Sequence, residues 1–411
     1  MSAPPGAQVS ERTETRASAL PLRRPFARLV LIRLTFLVAT AATLLWSPVR
    51  ENFPPFHAYE ARTDLVFETF AQWDSGWFLG IAAHGYESSA STVFFPLYPL
   101  VVKAVSYALG SKLVAAVLVS LAAAGVAAVL VHRIALPLVG DAAAWDSVLL
   151  LALYPSALVF TSAYADALFL ALSAGSLYAA MRRHPWLAAI LGALAASTRL
   201  VGLALIPPLL LLLRPRGRSP RELLRPAPLL LVPAGVAAYA AYLDHRFGDP
   251  LEFVDALDRY WQRHTSWAGP FGGLWDSLSA GYHGAAEIAL HLPRRLGEPD
   301  GFLHRDQLGA LNALQLLVLL AALWLTWVAW RRLGRVLGIY AVSMMVFLLS
   351  STVEVFPLAS FPRYLLADFP LFIALAAVLR EHPRARDPVV IGFAAVAGAA
   401  AVGFARHVWI A

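Results

Sequence analysis

The sequence predicts an all-α, polytopic integral membrane protein, and three observations predict it. Of 411 residues, 59% are hydrophobic and 14% charged, against roughly 45–50% and 25% in an ordinary soluble domain, so most of the chain needs a solvent other than water. Residues 113–131 and 308–330 are each long enough, at about 20 apolar residues, to cross a hydrocarbon core of roughly 30 Å. Basic residues gather between apolar runs, at 23–28, 132–133, 182–184, 214–225, 331–335 and 380–386, which is how a membrane protein fixes its orientation. The net charge of +7 is therefore a topological signal, and nucleic acid is not an expected partner.

The elements follow in order. Residues 1–27 read as a disordered cytoplasmic tail, because the first twenty are polar, rich in Ala, Ser, Thr and Pro, and lack an apolar core. Residues 29–46 form the first span; no small-residue cleavage site follows them, so they are not a cleaved signal. The positive-inside rule places all six basic clusters in the cytoplasm, so an even number of crossings separates neighbouring clusters. Between the first two clusters lie 29–46, 93–109 and 113–131; the middle segment carries Pro96, Pro99 and Lys103 and is expected to be interfacial or re-entrant. Residues 186–213 must cross twice, with a break near 199–202, in arms of about 14 residues. Further spans at 145–160, 164–181, 227–243, 308–330, 336–350, 364–379 and 389–408 give about eleven in all. Residues 28–411 thus read as one transmembrane domain with external loops at 47–112, 161–166, 244–306 and 351–363. The first loop is large and is expected to contain interfacial helices, and long ordered loops usually carry function.

The chain has no cysteine, which excludes a disulfide framework and a thiolate nucleophile. No Gly-rich phosphate loop follows a strand, and His264, His283, His291 and His304 lack metal-ligand spacing, so neither a cofactor nor a metal is expected. Asp74 lies between Trp73 and Trp77. It is either a general base with aromatic platforms for a sugar ring or the cap of an interfacial helix. Asp166 falls at the outer corner of two adjacent spans, where an acid is either functional or a helix cap. Arg199 and Arg363, the latter followed by Tyr364, fall at the outer boundary, where the positive-inside bias does not want them. Either they hold a phosphate, or they snorkel or pair with an acid such as Glu354. Residues 244–306 mix Tyr260, Trp261, Trp267 and Trp275 with several acids and read as a solvated loop or an acceptor-recognising one.

The string from Trp73-Asp74 through His84-Gly85-Tyr86, followed by Phe94-Phe95-Pro96-Leu97-Tyr98-Pro99, by residues 155–169 and by Thr198-Arg199, resembles the PIG-V-like mannosyltransferases, a family of GT-C-type membrane glycosyltransferases. The likeness covers about residues 67–208 and extends more weakly to 361–371. It implies a helical fold with a large first external loop and inverting transfer of mannose from a polyprenyl-phosphate donor. It also implies a catalytic acid–base role for Asp74, substrate binding by Trp73, Trp77, His84, Tyr86 and Asp166, and donor-phosphate binding by Arg199, Arg363 and Tyr364. Asp166 stands where the family usually has Glu in a Tyr-x-Glu pattern, an arm shorter by one methylene. The partners implied are the lipid-linked donor, an extracytoplasmic glycan, lipid or protein acceptor, and the bilayer. Short Arg-rich loops and the presence of only two lysines, Lys103 and Lys112, point to a bacterial inner-membrane protein with its active site on the extracytoplasmic side. The rival reading, a transporter or flippase for a lipid-linked sugar, fits less well with charges gathered on one side and no inverted repeat.

Overall fold

A computed structural model describes residues 23–44, 70–215, 217–291 and 305–405. Most of the expected tail, the last two residues of the expected first span and residues 47–69 of the first loop lie outside that set. The described chain is mostly helical, and its only strands, among the described residues, are two of three residues each, as the apolar composition requires: in lipid every backbone N–H and C=O must be satisfied internally.

Helix α1 (Arg23–Leu44) carries a buried arginine. Arg33 donates from Nη1 to the carbonyl of Ala157 at 2.7 Å and from Nη2 to that of Ala152, at the end of another helix, where carbonyls lack partners of their own. Arg33→Leu is expected to leave those acceptors bare and to lower stability by about 1–3 kcal/mol. A drop in the melting temperature of the purified protein in detergent is the readout, and an unchanged value would show that the contact contributes nothing.

Helix α2 (Asp74–His84) leads through a 3₁₀ turn, Ser89–Val93, to α3 (Leu97–Leu109). At 13 residues α3 is too short to span the bilayer, in keeping with the interfacial role expected of it. Next comes α4 (Lys112–Leu153), expected as two spans separated at Arg133. Instead the helix continues to Val139 and breaks at Gly140 (φ 79°, ψ 170°), a positive φ that glycine adopts without steric cost. The second arm ends at Leu153, and Pro155–Phe160 is a 3₁₀ turn.

Helices α5 (Asp166–Met181) and α6 (Pro185–Thr198) come next. The break expected near 199–202 is present: Arg199 is extended (φ −158°, ψ 141°), a 3₁₀ turn covers Leu200–Leu205, and α7 (Ile206–Leu213) resumes. After the short α8 (Pro220–Leu223) and α9 (Leu231–Phe247), the stretch read as a solvated loop is largely structured. It holds α10 (Glu252–Trp261), strand β1 (Arg263–Thr265) and the 22-residue α11 (Pro270–His291). Glycines and aromatics mask the period of α11 in the sequence.

The chain closes with α12 (Arg305–Arg332), α13 (Arg335–Leu349), strand β2 (Ser351–Val353), α14 (Phe361–Tyr364), α15 (Phe369–Glu381) and α16 (Pro383–Ala405). Strands β1 and β2 pair antiparallel, with Arg263 opposite Val353 and Thr265 opposite Ser351.

Among the described residues four helices are long and apolar enough to cross a membrane: Lys112–Leu153, Ala227–Phe247, Leu308–Arg332 and Pro383–Phe404. A fifth is added if Phe361–Ala367 and Phe369–Glu381, bent by 85°, count as one broken span. The chain is a multi-pass membrane protein. Five shorter apolar helices are also present, and the described residues do not establish the eleven crossings expected.

Two buried clusters organise the interior. One joins α4, α5, α12, α13 and α15 through Leu150, Phe169, Leu319, Tyr340 and Phe369. The other, dominated by Phe78, Tyr86, Phe95, Tyr98 and Tyr239, ties α2 and α3 to α9 and α10. Asp74, Asp166, Arg199, Arg363 and Tyr364, singled out from the sequence, come together in one cluster.

Candidate active site

Asp74 opens α2, and its position is fixed by the residues before it. Trp73 takes φ 58°, ψ −118°, a positive-φ conformation that is uncommon for a bulky residue and tends to occur at functional sites. The segment 70–72 is fastened to the corner at 161–165: Ala163 N–H donates to the Phe70 carbonyl at 3.1 Å, and the Tyr164 hydroxyl donates to the Gln72 carbonyl at 3.1 Å. Those bonds bring the start of α2 beside the start of α5, where Asp166 is the first residue. Both carboxylates thus sit at helix N-termini, whose exposed amides favour negative charge.

Side chains from two further breaks reach these acids. Arg363 lies in the one-turn helix α14, entered through Ser360 in a left-handed conformation (φ 62°). Its Nη1 donates to Asp74 Oδ2 at 2.6 Å and its Nε lies 3.9 Å from Asp166 Oδ1. Arg199, at the break after α6, donates from Nη1 to Asp166 Oδ1 at 2.6 Å. The side chains of Asp166 and Arg363 are 3% and 8% exposed. The charges are therefore largely removed from water, where pairing is strong and a missing partner costly. Glu354, the acid considered as a possible partner, is exposed; the arginines use Asp74 and Asp166 instead. The other Asp166 oxygen, Oδ2, has no hydrogen-bond partner among the described residues.

Tyr364 collects the arginines on one ring. The guanidinium carbons of Arg199 and Arg363 lie 4.9 Å and 5.0 Å from its centroid, and that of Arg263 lies 5.8 Å away, within the range of cation–π attraction. Arg363 Nη2 also donates to the Tyr364 hydroxyl at 3.4 Å, while the Tyr164 ring lies 5.3 Å from the Arg363 carbon. Arg263 was not singled out from the sequence, where it lay in an apparent loop. The β1–β2 pair holds it, and it donates to the carbonyls of Ser351 and Ala359 at 3.0 Å and 2.7 Å. Three guanidiniums against two carboxylates leave the cluster with one positive charge in excess, the balance an anion needs.

The remaining sequence candidates divide. Trp73 immediately precedes Asp74, and Trp77, one turn along α2, stacks on Phe94 at 5.7 Å with the edge of Trp261 at 5.9 Å. His84 is exposed at the far end of α2, about 15 Å along the axis from Asp74. Tyr86 is buried beyond it, donating to the Phe94 carbonyl and packed on Tyr239 at 5.4 Å. Burial raises its hydroxyl pKa above the ordinary tyrosine value. The geometry places His84 and Tyr86 away from the cluster, and for Tyr86 it supplies a packing role. No group of three His, Asp or Glu side chains gathers as a metal site would among the described residues.

Gly202 holds the Arg199 break in place. A Cβ there would lie 2.5 Å from the Cα and N of Ala196, so Gly202→Ala must push the 200–205 turn off α6 and move Arg199 with it. If the cluster is catalytic, a displacement of about 1 Å is expected to cost about 10²-fold in turnover, read as initial rate at matched protein level. Unchanged turnover would show that the position of Arg199 is not critical.

The mannosyltransferase (PIG-V) family profile matches residues 24–209. No curated protein matches the chain. Among solved structures it is similar to ArnT from Cupriavidus metallidurans bound to undecaprenyl phosphate, at 17% identity over 91% of this chain and 64% of that one, TM-score 0.49. It is also similar to the Archaeoglobus fulgidus oligosaccharyltransferase in its apo form, at 14% identity over 90% and 56%, TM-score 0.40. The chain thus spans a little under two thirds of the first and just over half of the second. Over residues 24–209, which carry Asp74, Asp166 and Arg199, the chain matches the mannosyltransferase (PIG-V) family, the family its motifs resemble.

Proposed function

We propose that this chain is an inverting glycosyltransferase that moves mannose from a polyprenyl-phosphate carrier to an acceptor at the extracytoplasmic face of a bacterial inner membrane. The observation that supports it most is the cluster itself: two acids and three arginines gathered round Tyr364, with positive charge in excess. The family match over 24–209 supports the reaction class.

In this mechanism Arg363 and Arg199, with Tyr364, hold the donor phosphate, and Arg263 adds positive charge at the same ring. A phosphate bound there takes up guanidinium N–H groups that now bond to the carboxylates, leaving an Asp74 oxygen free to accept a proton. The acceptor hydroxyl gives that proton to Asp74 and attacks the anomeric carbon. The bond from that carbon to the phosphate oxygen breaks on the opposite face, inverting the centre, and the carrier leaves as its monophosphate, whose charge the arginines stabilise. Trp73 and Trp77 flank the path as apolar walls for a sugar, and Asp166 keeps Arg199 and Arg363 turned toward one another.

The test uses membranes with and without the chain, supplied with synthetic polyprenyl-phosphate mannose carrying a radiolabel, and parallel donors carrying glucose or arabinose. Label appearing in an acceptor only with mannose and only with the chain supports the reading in full. Transfer from another sugar overturns the mannose assignment alone. Movement of intact donor across sealed vesicles without bond formation would replace the enzyme with a flippase.

A further inference from the structure

Helix α11 exposes large apolar side chains in a line. Phe271 is 77% exposed, Trp275 71% and Tyr282 70%, with Leu278 between the last two, and Trp267 just before the helix is 97% exposed. Spacings of four, three and four residues put these four helical positions on one face. At about 100° per residue, Asp276, His283 and Glu287 fall well to one side of that stripe. Asp276 accepts from the Thr352 hydroxyl at 3.3 Å and His283 contacts the Ser279 carbonyl. The stripe itself is free of charge, and three aromatics this exposed on one helix are unusual for a surface meeting water.

The other side of α11 shows what stands next to it. Its packing face against α12 and α13 is made of small residues, with Gly273, Ser277, Gly281 and Gly284 buried. A Cβ on Gly284 would meet the Gly309 carbonyl at 2.1 Å, one on Gly281 would meet Leu316 at 2.5 Å, and one on Gly273 would meet the Leu349 carbonyl at 1.8 Å. The two backbones therefore lie against each other, and α11 runs antiparallel beside the first half of α12. That half lies within the membrane-length apolar stretch Leu308–Arg332. It too exposes leucines, Leu314, Leu317 and Leu320, with Trp324 further along. The aromatic stripe is thus held at the depth of a lipid-facing helix, by contacts too close to let it slide away.

We propose that Phe271, Trp275, Leu278 and Tyr282 form a bilayer-embedded face, seated among acyl chains and headgroups of the leaflet on the side of the acid–arginine cluster. Continuity with the exposed leucines of α12 favours lipid over a partner protein, and the Trp and Tyr content suits the boundary between headgroups and hydrocarbon. Since α11 follows Arg263 by only seven residues, one wall of the cluster is anchored in the membrane. The inference requires the chain to be in a bilayer but does not depend on which reaction it catalyses.

The absence of native cysteine makes the test direct. Trp275→Cys and Tyr282→Cys, each the sole cysteine of the full chain in proteoliposomes, are treated with a membrane-impermeant charged maleimide and compared with Glu87→Cys, an exposed position. Each rate is scaled to full labelling in denaturant, and vesicles opened by freeze–thaw give access to both sides. Burial in lipid predicts labelling at least about tenfold slower than at position 87, because the thiolate and the charged reagent are both excluded from hydrocarbon. Bimane attached at 275 or 282 before reconstitution should then be quenched by brominated phospholipid. Labelling as fast as at position 87 overturns the proposal in favour of a water-facing helix. Slow labelling without quenching by brominated lipid overturns it in favour of a protein cover, such as a second copy. Phe271→Cys provides a second reading of the stripe should either variant fail to fold.

Discussion

Under the proposed reaction, Asp74→Asn is expected to reduce glycosyl transfer by about 10²–10⁴-fold, the usual contribution of a positioned general base, with the protein present at wild-type level. Asn keeps the shape of the side chain and can still accept a hydrogen bond from Arg363, so the ion pair at 2.6 Å is weakened without opening a cavity. A structural role alone would show as a lower melting temperature with turnover per folded molecule intact. A catalytic role shows as the reverse. The comparison matters because Asp74 is bonded to Arg363, so its substitution touches both stability and chemistry. Full activity in Asp74→Asn would remove the residue from the chemistry.

Arg363 should show the largest combined effect, since it faces both acids and Tyr364. Arg363→Gln leaves Asp74 without its donor in a largely buried setting, and breaking such a pair from one side destabilises by about 3–5 kcal/mol. Arg363→Lys retains the charge but not the planar fork, so one ammonium must serve positions now met by Nη1, Nη2 and Nε. Loss of one charge-assisted hydrogen bond in that variant predicts transfer reduced by about 10–100-fold in a protein that still folds. The double variant Asp74→Asn with Arg363→Gln is expected to be more stable than Arg363→Gln alone and equally inactive, because no unpaired charge remains at that contact. Thermal melts in detergent beside transfer assays separate the two effects. If the double variant were no more stable than Arg363→Gln, the pair would not be the source of the loss.

The four residues at the centre of the cluster were all legible in the sequence, each for a reason of its own. Asp74 and Asp166 are acids among apolar and aromatic neighbours, while Arg199 and Arg363 contradict the positive-inside pattern. Their pairing was not legible, because it depends on breaks that bring distant segments together. The sequence offered Glu354 as an example of a partner, whereas the fold pairs Arg363 with Asp74 across 289 residues. Arg263 stayed hidden because strands of three residues carry no periodicity. Position 140 illustrates a different limit: a glycine in an apolar run does not announce whether it will bend the chain, and the helix passed Arg133 before breaking there. His84 and Tyr86 show what a linear motif leaves open: the helix carries His84 about 15 Å along its axis from Asp74, a separation the sequence string does not display.

The 289 residues separating Asp74 from Arg363 bear on how the protein is made. Synthesis from the N-terminus commits both acids to their helices long before the arginine that neutralises Asp74 leaves the ribosome. Until α14 arrives, Asp74 has no counter-charge from that quarter, and an uncompensated acid among apolar helices is costly and prone to seek water or a chaperone. The cluster is therefore a checkpoint of completion: a chain shortened before residue 363 would keep most of its apolar helices yet lack the contact that draws its first and last thirds together.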